Sequence, residues 1–337
     1  MRYPRRYETK QSVCCAMRHE AQSDIGKGVR VSSSVYQNTL ANTAICAGIG
    51  VHSGERARLT LKPAAVDTGI VFHRLDTKSG EGFIPARGDL VHDVTLGTKL
   101  QNEYGTTLST VEHLLAAAYA LGIDNMLVEV DGPEVPIMDG SSELYTDLIL
   151  RTGLKRQSAP ARFLRVIEPV EVRDGVKSAS LLPVQDDSFR LDAAIDFESD
   201  AIGRQRKTLT LTPESFAREL AFARTFGFYR DIQKLHRMGL GQGASLENAI
   251  AVEDDKILNP EGLRAKDEFI RHKLLDAVGD LALTGFRLIG RYVSEQPGHS
   301  INNLLVRELL NNPDKWELTT LRRSSAMVQQ PAVAQAF

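Results

Sequence analysis

Cysteine is scarce in this sequence. Only three of its 337 residues are cysteines, with Cys14 and Cys15 adjacent and Cys46 alone. This number and spacing exclude a disulfide framework and a zinc knuckle built on C-x-x-C pairs, and they are typical of a reducing compartment. We therefore expect a cytoplasmic protein.

Long apolar runs and an excess of charge of one sign are also missing. No stretch approaches the roughly 18 apolar residues that a membrane-spanning helix needs, and the first residues lack the apolar segment of a secretion signal. Lys and Arg number 41 against 43 Asp and Glu, which gives a formal net charge of −2. Such a balance provides no basic field for nucleic acid. We expect no integral membrane segment, at most peripheral membrane contact, and no nucleic-acid partner.

Two fragments far apart in the chain carry candidate metal ligands. Residues 109–113 read STVEH, and residues 272–276 read HKLLD. Two imidazoles, a carboxylate and a further glutamate are the minimum for a hydrolytic zinc site. Three protein ligands leave one coordination position for water, whose pKa then falls to about 7.

The first fragment predicts a helix over residues 110–121, with an apolar stripe formed by Val111, Leu114, Leu115 and Ala118. His113 falls on the opposite face among small alanines, which would let another helix approach closely. Glu112 beside it suits a general base. The alternative is a capping box, since Ser109-x-x-Glu112 matches that pattern, and the two interpretations are compatible.

The second fragment predicts a helix over residues 266–284 that ends at Gly285. One face is apolar, and the other carries His272, Asp276, Gly279 and Asp280. The alternative for His272 and Asp276 is an ordinary hydrogen-bonded pair on a wet face. Asp280 is either solvated or an acceptor that orients a catalytic histidine elsewhere.

A candidate for that histidine is His299, in the segment PGHSINN at residues 297–303. The Pro-Gly pair marks a turn, and Ser300 or Asn302 would cap the helix that follows. The alternative is a histidine at the protein surface.

Seven segments in order give the chain a specific resemblance, which extends from about residue 37 to residue 319: STVEHLLAA, GIDN, PEVPIMDGS, ARTFGF, LNPEGLR, DEFIRHKLLDAVGDL and GHSINN. The chain resembles the UDP-3-O-acyl-N-acetylglucosamine deacetylase family, zinc enzymes of lipid A biosynthesis. The resemblance implies hydrolysis of the acetamide of a glycolipid nucleotide, with release of acetate and UDP-3-O-acyl-glucosamine, as the committed step of that pathway. We expect a monomeric enzyme in the bacterial cytoplasm.

The resemblance also implies roles for individual residues. The zinc ligands would be His113, His272 and Asp276, and Fe²⁺ fits similar ligands. Glu112 would be the general base, and His299, held by Asp280, the charged partner or general acid. Lys273 would contact the substrate near its sugar and diphosphate, and the Thr225 hydroxyl would bind the developing oxyanion.

The remaining positions concern the substrate cleft and its acyl channel. By resemblance, Phe226 and Phe228 would wall the cleft. We look for the acyl channel in residues 228–251, where apolar residues alternate with glycines. The candidate substrate-binding residues of this segment are Ile232, Leu240, Gly243 and Ser245. The alternative is a buried helix-loop piece that packs on the core.

Two rival functions use the same residues. A zinc peptidase is disfavoured because the chain has no HExxH helix. A non-enzymatic binding protein with the same fold is disfavoured because Glu112, His113, His272, Asp276 and His299 are all present.

The order of predicted elements favours an α+β fold. Each half has strands, a ligand-bearing helix that ends at a glycine (Gly122 or Gly285), and a following strand. We expect a flexible extension over residues 1–36, a first α+β domain over 37–160, a second over 161–321, and a disordered tail over 322–337. The resemblance implies two similar β-α-α-β domains that form a sandwich with helices packed between the sheets.

Overall fold

A computed structural model describes residues 33–323 of the chain. Of the predicted extension, residues 33, 34 and 36 lie in strands, and residues 1–32 are outside the described part. Of the predicted tail, residues 322 and 323 form a strand, and residues 324–337 are outside the described part.

Six α-helices form within residues 33–323: α1 (Glu112–Ala120), α2 (Glu143–Thr152), α3 (Pro213–Glu219), α4 (Ile232–Arg237), α5 (Glu268–Leu281) and α6 (His299–Asn311). The predicted helix over 266–284 corresponds to α5 and the 3-10 turn Ala282–Thr284, and Gly285 follows in the left-handed conformation. None of the helices in the described range is long and apolar enough to cross a membrane.

The strands of the first half are β1 (Ser33–Ser34), β2 (Tyr36–Leu40), β3 (Ala44–Ile49), β4 (Arg56–Pro63), β5 (Ile70–Arg74), β6 (Phe83–Pro85), β7 (Val91–Asp93), β8 (Lys99–Gln101), β9 (Thr107–Leu108), β10 (Met126–Val130) and β11 (Leu154–Pro160). The main sheet has the order β3-β4-β10-β5-β6. Only β10 and β5 pair in parallel in it. The order β7-β8-β9 forms a smaller antiparallel sheet, and β2 pairs with β11.

The strands of the second half are β12 (Phe163–Val166), β13 (Val170–Asp174), β14 (Lys177–Leu182), β15 (Phe189–Asp196), β16 (Arg204–Thr210), β17 (Phe226–Phe228), β18 (Ile250–Glu253), β19 (Lys256–Ile257), β20 (Arg287–Glu295), β21 (Trp316–Thr319) and β22 (Arg322–Arg323). β20 is central, because it pairs with β12, β14 and β15. β17, β18 and β19 form a separate three-stranded sheet, and β22 pairs with β1.

Strand β15 is buried on both faces between residues 191 and 195. Leu191, Ala193 and Ile195 are buried on one face, and Asp192 is buried on the other. Arg206 and Arg291 pair with the Asp192 carboxylate from the neighbouring strands β16 and β20. These two cations offset the loss of hydration that an isolated buried carboxylate would suffer.

The two ligand-bearing helices lie against each other in the core. Every residue of α1 except Tyr119 is buried. The helix is therefore buried on the face that carries His113 as well as on its predicted apolar stripe. The approach is close at Gly279 of α5, where an added Cβ would lie 2.1 Å from the carbonyl oxygen of Glu112. The small residues predicted on these faces therefore serve helix packing. The mixed α and β fold is confirmed, and the division at residue 160 stays a prediction.

Candidate metal centre

His113, His272 and Asp276 converge in the protein interior. One ligand atom from each lies within 4.8 Å of the other two. The Oδ1 atom of Asp276 is 3.2 Å from Nε2 of His272 and 3.7 Å from Nε2 of His113. The alternative of a wet surface pair is wrong for His272 and Asp276, because each side chain is only 1% exposed.

Local structure explains this convergence. His113 is the second residue of α1, and α5 presents His272 and Asp276 on one face because they are one helical turn apart. The glycine contact described above brings the start of α1 against α5. Two helices that are distant in sequence thereby supply a single set of candidate ligands.

The donor set fits a divalent ion. His272 donates its Nδ1 hydrogen to the carbonyl oxygen of Ala223 at 3.0 Å, so its Nε2 lone pair is directed at the cluster. Among the described residues, the buried Oδ1 of Asp276 and Nδ1 of His113 have no hydrogen-bond partner. Two imidazole nitrogens and a carboxylate oxygen suit zinc and, with similar ligands, Fe²⁺.

The protonation states are those that metal ligands require. Burial lowers the pKa of His272 to about 3 and lowers the pKa of His113, so both imidazoles are neutral near pH 7. Burial by itself raises the pKa of Asp276, but His272 in its protonated form and the Lys273 ammonium outweigh it and hold the pKa well below its usual range. The Lys273 Nζ lies 3.0 Å from Asp276 Oδ2. Neutral imidazoles and an ionised carboxylate are the forms that bind metal.

Glu112 lies beside this cluster and does not cap α1. The N-cap residue is Val111 and no side chain caps the helix, so the alternative of a capping box is wrong. The Glu112 carboxylate instead accepts the amide hydrogen of Thr98 at 3.0 Å, and its Oε1 is 3.7 Å from Nε2 of His299. Burial raises the pKa of Glu112 to about 7. A carboxylate with this pKa can exchange protons near neutral pH.

His299 and Asp280 form a buried pair next to Glu112. The His299 Nδ1 donates to Asp280 Oδ2 at 2.9 Å, and the side chain is only 11% exposed. Burial by itself lowers the pKa of His299, but Asp280 and Glu112 outweigh it and raise the pKa to about 10. The imidazole is therefore cationic at neutral pH, and the alternative of a surface histidine is wrong.

The start of α6 also differs from its prediction. The helix begins at His299, and its N-cap is Gly298 without a side-chain cap, so capping by Ser300 or Asn302 is wrong. Asn302 donates its Nδ2 hydrogen to Asp280 Oδ2 at 2.9 Å instead. The residue predicted as a cap thus orients the carboxylate that holds His299.

Thr98 and Glu134 were not predicted from the sequence as residues of this site. The Thr98 hydroxyl donates to Asp280 Oδ1 at 2.6 Å, while its amide contacts Glu112. Buried Glu134 accepts the Thr110 hydroxyl at 2.7 Å and the Ser53 amide at 2.8 Å. Thr110, two residues before the start of α1, has a φ of 59°, which is a costly conformation for a β-branched residue. No local signal marks Thr98, but Glu134 lies in the segment PEVPIMDGS and could have been weighed there.

Phe226 lies beside His272, the candidate ligand on α5, and Thr225 and Lys273 each adjoin one of these two residues in the chain. The Thr225 amide donates to the carbonyl of Gly140 at 2.7 Å, which fixes its backbone two residues after Ala223. The Phe226 ring packs edge to face on the His272 ring, with 6.2 Å between centroids. The Lys273 Nζ is 5.3 Å from the Phe226 ring centroid.

The segment proposed for the acyl channel is open to solvent in part. Phe228 ends β17 and Ile232 begins α4, a helix with no buried residue. The alternative of a buried piece packed on the core is therefore wrong for α4, whereas Phe228 and Ile250 near the two ends of the segment do pack on the core. Leu240 lines a cavity of about 160 Å³ together with Gly97 and Thr110, which flank the Glu112 region.

Gly243 and Ser245 lie in a turn. A Cβ on Gly243 would lie 2.3 Å from the carbonyl oxygen of Gly50, so glycine permits this close approach of two loops. The Ser245 amide donates to Asn248 Oδ1 at 2.8 Å. Within residues 33–323, the hydrogen bonds of these two residues do not join them to the metal ligands.

This site is typical of a metal-dependent hydrolase. It brings two neutral imidazoles and a carboxylate to one buried point and places a second carboxylate and a cationic histidine beside them. Residues 37–311 match the model of the LpxC family, UDP-3-O-acyl N-acetylglycosamine deacetylase. The chain belongs to this family, and the resemblance inferred from its motifs is confirmed.

Three relatives bear the same name, UDP-3-O-acyl-N-acetylglucosamine deacetylase. The protein from Phenylobacterium zucineum is 46% identical over 292 residues, which cover 87% of this chain and 99% of the relative. The protein from Haemophilus influenzae (strain PittEE) is 44% identical over 297 residues, 88% of this chain and 96% of the relative. The protein from Pasteurella multocida is 44% identical over 295 residues, 87% of this chain and 96% of the relative.

Proposed function

We propose that this chain hydrolyses the acetamide of UDP-3-O-acyl-N-acetylglucosamine and releases acetate and UDP-3-O-acyl-glucosamine, as a monomeric cytoplasmic enzyme of lipid A biosynthesis. The supporting observation is the buried convergence of His113, His272 and Asp276 in a member of the deacetylase family. Glu112 and His299 lie beside it. The proposed fold is a sandwich of two similar β-α-α-β domains, divided near residue 160.

His113, His272 and Asp276 would hold Zn²⁺, with Fe²⁺ as the alternative ion. A bound ion of this kind supplies Lewis acidity and makes water nucleophilic near neutral pH. The Ala223 carbonyl fixes the His272 tautomer through Nδ1. Lys273, next to Asp276, keeps that carboxylate ionised.

Glu112 accepts a proton from the attacking water. Its raised pKa of about 7 matches this role, because a base works best when its pKa is near the working pH. The Thr98 amide holds one carboxylate oxygen and leaves the other, Oε1, on the side of His299. No covalent intermediate on the protein is needed.

His299 donates a proton from Nε2 to the departing amine. Asp280 binds the opposite ring nitrogen and keeps the imidazole charged. Nε2 lies 3.7 Å from Glu112 Oε1 and 3.9 Å from Asp276 Oδ2, so the acidic hydrogen is on the side of the metal ligands. The proton that Glu112 takes and the proton that His299 gives balance the hydrolysis.

The Thr225 hydroxyl stabilises the oxyanion that forms when water adds to the acetamide, and a single donor of this kind is typically worth about 3 kcal/mol. Lys273 contacts the sugar and diphosphate. The acyl chain runs along Phe226, Phe228, Ile232 and Leu240, with Gly243 and Ser245 shaping the turn that closes the segment.

An acetate-release assay tests this function. The purified chain is expected to release acetate from UDP-3-O-acyl-N-acetylglucosamine and far less from UDP-N-acetylglucosamine, which lacks the acyl chain. A peptide library serves as the control for a zinc peptidase. Cleavage of peptides without acetate release, or no turnover of the acylated substrate by metal-loaded protein, would contradict the proposal.

A further inference from the structure

Arg224 is an arginine in an unusual place. Its side chain is 2% exposed and pairs with Glu268, which is fully buried. Arginine and glutamate are almost never buried to this extent unless they are paired. Replacing a buried ion pair by apolar side chains is often neutral or stabilising, so stability alone does not account for this pair.

The contacts of the pair involve the backbone as well as the side chains. The Arg224 amide donates to Glu268 Oε1 at 3.1 Å, and its Nε donates to the same oxygen at 2.9 Å. Its Nη2 donates to Glu268 Oε2 at 3.2 Å and to the carbonyl of Gly262 at 2.7 Å. Glu268 therefore fixes the main chain at residue 224 as well as the guanidinium.

This main-chain position matters for the metal centre. Ala223, the preceding residue, provides the carbonyl that accepts the Nδ1 hydrogen of His272 at 3.0 Å. Glu268 lies one helical turn before His272 on α5. The pair thus ties the segment that orients His272 to the same helix that carries His272 and Asp276.

We infer that Arg224 and Glu268 are positioning residues for the metal ligand His272. By holding the Ala223 carbonyl in place, the pair selects the tautomer and ring orientation in which Nε2 faces the other ligands. Groups that orient a ligand histidine in this way typically change metal affinity by about 10- to 100-fold. The inference rests on the proposed metal-dependent function.

The test measures zinc affinity of the full chain by competition with a chromophoric chelator. The double variant Arg224→Met/Glu268→Leu removes both charges at similar volume, and we expect it to fold and to bind zinc about 10- to 100-fold more weakly. Glu268→Gln keeps the size and one acceptor oxygen but loses the charge. We expect a smaller loss of affinity for it, with a changed ¹⁵N NMR signal of His272 Nδ1.

Arg271→Met is the matched control. Arg271 precedes His272 on α5 and pairs with Glu219 and Asp267, without contact to the 223–225 segment among its hydrogen bonds. We expect wild-type zinc affinity for this variant.

Wild-type affinity in the double variant and in Glu268→Gln would overturn the inference, and so would an equal loss in the control. Failure of both variants to fold would also overturn it, because the pair would then serve folding. If the wild-type chain binds no zinc, the proposed function fails instead.

Discussion

The Thr98 amide donates to the carboxylate of Glu112 at 3.0 Å, and the hydroxyl of the same residue donates to Asp280 at 2.6 Å. One residue directly before β8 therefore contacts both the proposed base and the carboxylate that holds His299. The proposed base Glu112 and the proposed acid His299 are therefore held in position relative to each other before any substrate is bound.

Thr98→Val should weaken this arrangement without removing the amide contact to Glu112. Hydrogen bonds to charged groups contribute about 1.5–3 kcal/mol, so we expect the free energy of unfolding to fall by about that amount. Urea denaturation measures the change. Thr98→Ser keeps the hydroxyl and should lose much less, and a Thr98→Val variant as stable as the wild type would contradict the prediction.

Glu112→Gln should retain the metal and lose turnover. The ligands are unchanged, but an amide cannot accept the proton of the attacking water, and general-base catalysis typically contributes about 10²- to 10⁴-fold. Elemental analysis and acetate release from one preparation check both parts. A variant that loses its zinc would show that Glu112 has a structural role.

Asp280→Ala should change the pH dependence of kcat/KM. His299 must be protonated to act as an acid, so activity falls as pH rises through its pKa, which is raised to about 10 with Asp280 as the main cause of the increase. Removal of that carboxylate lowers the pKa, and the basic limb should move to lower pH by about 1–3 units. Thr98→Ser provides a control profile, and an unchanged basic limb in Asp280→Ala would refute the assigned role.

Removal of the metal should abolish activity and reduce stability together. We expect about one zinc per purified chain, because the three converging side chains are the ligand set of a catalytic-type site. Rebinding at about 100 times Kd should stabilise the fold by about 2.7 kcal/mol, which a thermal melt detects. His113→Ala should lose both the activity and the stabilisation by added zinc. His73→Ala should keep both, because the His73 ring stacks on Phe83 and is not one of the three converging side chains. Full activity of the demetallated chain would contradict the proposal.

Gly279→Ala should separate the two ligand-bearing helices. The added Cβ would lie 2.1 Å from the Glu112 carbonyl oxygen, which is backbone and cannot move aside alone. We expect a loss of about 1–3 kcal/mol in the free energy of unfolding, together with weaker zinc binding. Gly227→Ala is the control, because a Cβ there meets no atom within 4 Å. Unchanged zinc affinity in Gly279→Ala would show that the helices tolerate a wider separation.

Much of the local structure follows from the sequence alone. Helical spacing located α1 and α5, and glycines marked the ends of both ligand-bearing helices. The spacing of His272 and Asp276 placed both on one face of a helix. Periodicity and capping act between near neighbours in the chain, so the sequence contains them directly.

Only the tertiary structure decided which polar groups face the metal centre and which merely cap a helix. Ser109 with Glu112 matches a capping box, yet Glu112 binds the amide of Thr98, and Asn302 binds Asp280 and leaves the start of α6 uncapped. The periodicity of apolar residues also did not predict that both faces of α1 and α5 are buried, because that pattern assumes a helix with one solvent-exposed face. The pKa values of Glu112 and His299 depend on desolvation and on charges brought together across the fold. Residues in contact there are far apart in the chain, as Thr98 and His299 are at 201 positions. Contacts of that kind arise from packing, and no local pattern encodes them.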